Sequence, residues 1–302
     1  MIMAKWSGKT RGGAFGYRFF ILLIKNTHKK VTYSFMRIVA FYFYLFNRNK
    51  SVEYYFKNIH GLRGKKLRRS IYQNYVLFGE VLIDKIAFLV RPKVNFTFDY
   101  DGEEYLREMV ANGKGGILIG AHMGNWELAG NLLDRINTTV NVLMYDAEHE
   151  NIKSLFDSYQ IVRKFAIIPI KEDFSHLHKI KEALKNRELV VMHGDRFMEG
   201  NEVVELPFMG KIANFPVGPI FMATKFQAPV SFVFTFKESA NHYHFYASPP
   251  KTYPYPGILK TRKEELKGMV EEYVSYLESM VKKYPTQWFN HFPFWKEEID
   301  KE

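Results

Sequence analysis

Residues 115–130, GGILIGAHMGNWELAG, decide the fold expected for this chain. The short apolar run GILIG predicts a buried β-strand, and His122 follows it in a tight turn. Asn125 then stands where a helix N-cap is favoured. Apolar residues recur at helical spacing after it and are expected to face a sheet: Ala129, Leu132, Leu133 and Ile136. This order places the turn at the carboxyl end of a strand, where open α/β sheets bind their ligands.

His122 and Glu127 are the pair in this segment that suggests chemistry. They are five residues apart, so one continuous helix would not place them on the same face. With His122 in the turn and Glu127 in the first helical turn, the carboxylate can fix the tautomer of the imidazole and leave one nitrogen able to accept a proton. Such a pair suits activation of a hydroxyl or amine. The alternative is that Glu127 complements the helix dipole and His122 is a polar turn residue.

Outside this segment, strands and helices alternate from residue 93 onward. The alternation predicts an α/β fold with a mainly parallel sheet flanked by helices. Residues 206–219, LPFMGKIANFPVGP, are expected to form a loop, with Pro216 leading the next helix. Asp195 and Arg196 follow the predicted strand ELVVMHG. Because neighbouring strand ends converge in a parallel sheet, this pair is expected beside His122, or else to form an internal ion pair.

Composition limits the class of protein. The chain has 302 residues, 47% of them hydrophobic, which supports a sizeable core, and it has no cysteine, which excludes disulfides and thiolate chemistry. Residues 1–100 hold 19 Lys and Arg against 4 Asp and Glu, a net charge of +15, while the whole chain carries +11. A basic N-terminal third suggests an anionic membrane surface or nucleic acid as partner.

Residues 1–92 are predicted to be a helical, membrane-associating region, and residues 93–302 an α/β domain. The apolar runs FFILLI and FMRIVAFYFYLF are too short for a comfortable bilayer span of about 20 residues. We therefore expect a pair of helices lying in the membrane interface, with ordinary helices packed on the main domain as the alternative. Nucleic acid is disfavoured because the cations are interleaved with apolar blocks. The cations of residues 63–69 could dock an acidic carrier protein or lipid headgroups, or be a solvated face.

Three groups with metal-ligand chemistry are discounted. The acidic loop DAEHE of residues 146–150 is at most an accessory to the site. The pairs His176-x-His178 and His242-x-His244 lack acidic partners at fixed offsets and are expected at the surface. No metal site is predicted. The absence of a G-x-S-x-G pattern argues against a serine hydrolase, and because P-loop and G-x-G-x-x-G patterns are also absent, no nucleotide cofactor is predicted.

The sequence HMGNWE resembles the H-x4-[D/E] signature of glycerolipid acyltransferases, and its Gly-Asn-Trp-Glu form resembles the lipid A biosynthesis (lauroyl/myristoyl) acyltransferases. The similarity extends over most of the chain, to the acidic block at Asp195 and to FPFWKEE near the C-terminus. The resemblance implies a glycerolipid acyltransferase-like fold with His122 as general base and Glu127 as its orienting acid. Substrate-binding residues are then expected at Gly124, Asn125, Trp126, Asp195, Arg196 and Lys211.

The resemblance also implies substrates and location. The acyl donor would be a thioester of acyl carrier protein or coenzyme A, with no further cofactor. The acceptor would be a hydroxyl or amine of a lipid A precursor or related lipid. The expected location is the cytoplasmic face of the inner membrane, peripheral or monotopic. A thioesterase-like hydrolase and a non-enzymatic membrane-binding protein are the alternatives.

Overall fold

The computed structural model describes residues 13–46, 49–90, 96–113, 115–126, 128, 136–145, 165–171, 173–197 and 200–299. Predictions for Glu127, Ala129, Leu132, Leu133 and the acidic loop 146–150 lie outside these residues. The helices are α1 (Gly13–Asn26), α2 (Lys29–Phe46), α3 (Lys50–Tyr54, continued by a π-helical turn Tyr55–Ile59), α4 (Gly64–Val90), α5 (Glu103–Ala111), α6 (Ser175–Lys185), α7 (Gly218–Phe226), α8 (Arg262–Lys283) and α9 (Lys296–Ile299), with a 3₁₀ turn at Pro285–Gln287. The strands are β1 (Thr97–Asp101), β2 (Gly116–Gly120), β3 (Val140–Tyr145), β4 (Ala166–Ile170), β5 (Leu189–His193), β6 (Val203–Phe208), β7 (Lys211–Pro216), β8 (Val230–Lys237) and β9 (His242–Ala247).

Seven strands form one sheet in the order β1-β9-β8-β2-β5-β3-β4. All neighbouring strands are parallel except β8 and β9, which pair antiparallel. Alternate residues of β2 point into two cores: Leu118 packs with Leu106 of α5, whereas Ile117 and Ile119 belong to the core that contains Tyr273 of α8. Helices therefore cover both faces, and the predicted mainly parallel α/β sheet is confirmed.

The register of the two central strands brings the site together. Gly120 at the end of β2 pairs with His193 at the end of β5. Because the strands are parallel, the residues two positions further along each chain, His122 and Asp195, emerge side by side at the carboxyl edge of the sheet.

The prediction of a loop at residues 206–219 is wrong. Strands β6 and β7 form an antiparallel hairpin, joined at Met209 and Gly210, which have φ of 52° and 82°. Two positive φ angles are typical of the two-residue turns whose twist suits a hairpin. Pro216 ends β7, and α7 begins at Gly218. Pro207 is tolerated within β6 because a two-stranded ribbon consists of edge strands.

Histidine 176 also differs from its prediction as a surface residue. It is buried because it shares one face of α6 with Ile180 and Leu184, at intervals of four residues, while His178 is exposed. His242 and His244 lie near acids of β1: Asp99 is 3.3 Å from one ring and Asp101 is 3.2 Å from the other. In the described part of the chain, no three His, Asp or Glu side chains are grouped as metal ligands would be.

The N-terminal helices pack as a small layer beside the sheet. Tyr33 and Met36 of α2 form a core with Ile83 of α4. The two helices are antiparallel: Tyr33 near the start of α2 contacts Asp84 near the end of α4, whereas Tyr44 near the end of α2 contacts Tyr72 near the start of α4. Among the described residues, none of the helices combines the length and apolar character that a bilayer crossing requires.

Candidate active site

The ring of His122 is hydrogen-bonded to Asp195. Nδ1 of His122 lies 2.8 Å from Oδ1 of Asp195, and the backbone N–H of His122 donates to Oδ2 at 2.9 Å. Trp288 donates its indole N–H to the same Oδ2 at 3.0 Å. Asp195 is 1% exposed, so these bonds form with little competition from water. Three donors therefore fix one buried carboxylate against the imidazole.

The charge of Asp195 determines the tautomer of His122. Burial alone would raise the pKa of Asp195, but the charge and hydrogen bond of His122, together with Arg196 and His193, outweigh burial and hold that pKa well below its usual range. An ionised carboxylate only accepts hydrogen bonds, so Nδ1 carries the hydrogen. In the neutral ring, Nε2 then bears the lone pair. This is the tautomer that a general base acting through Nε2 requires.

Neutral aromatic rings surround the pair. The centroid of the His193 ring lies 4.2 Å from that of His122, and the centroid of the Trp126 ring lies 5.2 Å from it. Burial, with the neighbouring charge of His122, lowers the pKa of His193 well below its usual range. Burial, with the charge of Arg196, lowers the pKa of His291 to about 3. Both rings are therefore neutral near pH 7 and add no competing cation.

The turn after His122 is shaped by contacts that only certain residues can make. Gly124 has φ of +55°, and a Cβ there would collide with the carbonyl oxygen of Thr235. Asn125 caps the following helix as predicted, accepting a hydrogen bond from the Leu128 N–H at 3.1 Å. Asn125 is 1% exposed, and its side chain bonds to groups of the protein that hold the turn in place. Substrate contacts of Gly124 and Asn125 stay predictions.

A C-terminal segment, residues 286–291, lies along the turn and completes the site. Trp288 forms an antiparallel bridge with Met123, and the Phe289 N–H donates to the carbonyl oxygen of His122 at 2.9 Å. Arg196 donates to the carbonyl oxygen of Phe289 at 3.2 Å. Asn74 of α4 holds the segment by donating to the carbonyl oxygen of Trp288 at 3.0 Å.

Sequence reasoning assigned no role to this segment. The aromatic run WFNHF, residues 288–292, contains two polar residues, Asn290 and His291. An aromatic run is usually buried, and buried polar side chains are usually hydrogen-bonded, so these two residues were the signal that could have identified the segment. Asn290 is indeed buried.

The predicted site residues do not all lie together. The structure groups His122, Trp126, Asp195 and Arg196, whereas Glu127 lies outside the described residues. Lys211 begins β7 and forms an ion pair with Glu297 at 2.6 Å. In the described part of the chain, Lys211 contacts Glu297 and Tyr54, and neither of these contacts joins it to His122.

Known proteins resemble this chain to different extents. Phosphatidylinositol mannoside acyltransferases from two strains of Mycobacterium tuberculosis are each 26% identical over 125 residues. That stretch covers 41% of this chain and 39% of each relative, so the match spans about two-fifths of the relatives' length. The crystal structure of the 1-acyl-sn-glycerophosphate acyltransferase from Thermotoga maritima is 16% identical, with a TM-score of 0.38, covering 84% of this chain and 98% of that one.

The match to a family is far more extensive. Residues 8–297 match the family described as bacterial lipid A biosynthesis acyltransferase. This range includes the turn of His122, Asp195 just after β5, and the C-terminal segment 286–291. The chain belongs to the bacterial lipid A biosynthesis acyltransferase family.

Proposed function

We propose that this protein transfers a fatty acyl chain from an acyl thioester to a hydroxyl or amine of a lipid acceptor, with His122 as general base. The hydrogen bond between His122 Nδ1 and Asp195 is the observation that carries the proposal, because it leaves the lone pair on Nε2. The donor is a thioester of acyl carrier protein or coenzyme A. The acceptor is a lipid A precursor or a related glycolipid, a class to which the names of the relatives point.

The proposed reaction needs no covalent enzyme intermediate. Nε2 of His122 takes the acceptor proton while the acceptor oxygen or nitrogen bonds to the thioester carbonyl carbon, whose oxygen becomes an oxyanion. The oxyanion then collapses, the carbon–sulfur bond breaks, and His122 returns the proton to the thiolate. Arg196 supplies positive charge beside the pair and is our candidate for stabilising the oxyanion or an acceptor phosphate. Glu127 remains a second candidate for orienting His122.

Acyl transfer by purified protein tests this function. The protein is incubated in mixed micelles with a radiolabelled acyl thioester and either a lipid A precursor or phosphatidylinositol mannoside. We expect the acceptor to gain the mass of one acyl group while thiol is released. Release of free fatty acid without acylated lipid would instead identify a hydrolase, and no reaction with any donor and acceptor pair would contradict the proposal.

The exposed face of α2 supports action at a membrane surface. Of the 14 large apolar side chains exposed in the described part of the chain, nine lie on α1 and α2. Five of the seven on α2 recur at helical spacing: Val31, Phe35, Ile38, Tyr42 and Leu45. Such a face is unfavourable in water and suits the boundary between headgroups and acyl chains.

The antiparallel packing of α2 on α4 adds charge to this face. Tyr72 of α4 donates to the carbonyl oxygen of Arg37, and Phe41 lies against the same ring. The start of α4 therefore lies near the end of α2, where Phe46 is exposed. That start carries exposed cations: Arg63, Lys65, Lys66, Arg68 and Arg69. Cations beside exposed aromatic residues favour an anionic lipid surface as the partner. This supports our proposal that the protein acts on the cytoplasmic face of the inner membrane.

The double variant Ile38→Glu/Phe46→Glu is expected to lower binding to anionic phospholipid vesicles by tenfold or more. The reason is that burying each apolar side chain contributes about 1.5–3 kcal/mol. Co-sedimentation measures the bound fraction. Leu259→Glu is the matched control, because Leu259 is likewise an exposed apolar residue but lies just before α8 and not on α1 or α2. Unchanged sedimentation of the double variant would rule out α2 as the binding face.

A further inference from the structure

A buried cluster of charged and hydroxyl groups joins the N-terminal helices to the sheet. Asp84 of α4 is 0% exposed. Its carboxylate is 2.5 Å from Nζ of Lys237 at the end of β8 and 2.9 Å from Nζ of Lys29 at the start of α2. Tyr33 of α2 donates its hydroxyl to the same carboxylate at 2.5 Å. Two helices and a strand thus share one buried carboxylate.

The same carboxylate reaches the catalytic turn through two side chains. Tyr243 of β9 donates its hydroxyl to Asp84 at 2.6 Å. Asn125 in turn donates its amide to the Tyr243 oxygen at 3.2 Å. The other end of the Asn125 side chain caps the helix that follows His122. One continuous chain of hydrogen bonds therefore runs from α4 to the turn that carries the proposed base.

A second route runs through the backbone. The N–H of Lys237 donates to Oε1 of Gln287 at 3.0 Å, and Nε2 of Gln287 donates back to the carbonyl oxygen of Lys237 at 2.8 Å. The carbonyl oxygen of Gln287 accepts a hydrogen bond from the N–H of Gly124 at 2.8 Å. The position of Lys237 thus affects the turn as well.

Attachment of the helices alone does not explain this cluster. Replacing a buried ion pair by packed apolar residues is often neutral or stabilising. Apolar residues could therefore attach the helices to the sheet without the desolvation penalty of buried charges. Burial lowers the pKa of Lys29 to about 8, although the Asp84 carboxylate opposes that shift. A cluster that is costly to bury, fully bonded and connected to the turn fixes one arrangement of its parts.

We propose that Asp84 and Tyr243 are positioning residues for His122, holding the catalytic turn in register with α2 and α4. The proposal rests on the function proposed above. It assigns no contact with substrate to either residue. Each acts through Asn125, which sets the start of the helix and so the direction in which the His122 and Trp126 rings point.

Tyr243→Phe is the deciding variant, because it removes one hydroxyl and keeps the ring. We expect kcat to fall about tenfold to a hundredfold with KM nearly unchanged, as for a small misplacement of catalytic groups. Hydrogen exchange followed by mass spectrometry should show the amides of residues 121–128 exchanging about tenfold faster, since roughly one hydrogen bond of local stability is lost. Thermal unfolding should stay cooperative. Asp84→Asn should act in the same direction, but it strands two ammonium groups and can fail to fold.

Tyr253→Phe is the matched control. Tyr253 is also buried and donates its hydroxyl to a carboxylate, that of Glu272 at 3.1 Å, away from the turn. Both kcat and exchange of residues 121–128 should match the unmodified protein. Unchanged exchange at this segment in Tyr243→Phe would overturn the proposal, whatever the activity. If the unmodified protein transfers no acyl group, the proposed function fails, and the exchange measurement still decides whether Tyr243 positions the turn.

Discussion

Replacing His122 by alanine is expected to lower kcat for acyl transfer by about 10²–10⁴-fold, the usual contribution of a positioned general base. The reason is that, among the described residues bonded to Asp195, only His122 has a group that can accept a proton. The Trp288 indole and the backbone N–H of residue 122 are donors only. KM should change little, because the lost interaction acts in the transition state. Initial rates over a range of thioester concentrations separate the two parameters.

The control for this loss is His178→Ala. His178 is an exposed histidine on α6, so its removal should leave both kcat and KM unchanged. A second comparison is His193→Gln, because His193 is the ring nearest to His122 and is neutral near pH 7. Its loss should reduce packing without removing the base. If His122→Ala retained the rate of the unmodified protein, the general-base mechanism would be wrong.

The sequence around His122 was sufficient to predict the central architecture. GILIG followed by a turn residue and an N-cap indicates strand, turn and helix from local preferences alone. Parallel neighbouring strands follow from the alternation of elements, and the convergence of their ends places Asp195 near His122. What the sequence did not reveal is that the Asp195 carboxylate bonds to the His122 ring, a role that was expected of Glu127. That bond depends on register, because a slip of one residue turns a side chain to the opposite face.

Other parts of the site could not be predicted, since their contacts join distant segments. Trp288 is 93 residues from Asp195, and Asn74 is 214 residues from Trp288. No local pattern encodes such pairs. Asp84 looks like an ordinary polar position within a helix, although it is buried beneath α2. The hairpin at β6 and β7 was missed for a different reason: Pro216 was expected to lead a helix, but it ends β7, and a two-stranded ribbon tolerates proline because both strands are edge strands.

Replacing Asp195 by asparagine is expected to lower kcat by about 10²–10⁴-fold although the side chains have nearly the same shape. Asp195 accepts three hydrogen bonds, two at Oδ2 and one at Oδ1. Asparagine has one oxygen and one amide nitrogen. Its oxygen will face the two donors, so its NH₂ group will face Nδ1 of His122. That ring nitrogen must then accept, which moves the hydrogen to Nε2 and removes the proposed base.

Asp99→Asn is the matched control, because Asp99 also pairs with a histidine ring, that of His242 at 3.3 Å, but lies at the edge strand β1. We expect no change in kcat there. Glu127→Gln separates the two acids: if Glu127 alone orients His122, Asp195→Asn will keep nearly full activity and the assignment of Asp195 will be wrong. If Asp195 sets the tautomer, its asparagine variant will lose activity whatever Glu127→Gln does.

Stability provides a second measure of the same substitution. The folded protein holds the pKa of Asp195 well below its ordinary value of about 4, so its charge contributes stability that is fully present above about pH 4 and is lost as the pH falls below it. Asparagine has no such dependence. The free energy of unfolding should therefore be lower for Asp195→Asn than for the unmodified protein at pH 7, and the difference should shrink on acidification. Denaturant unfolding at a series of pH values measures it, and a difference that grew at low pH would contradict an ionised Asp195 bonded to His122.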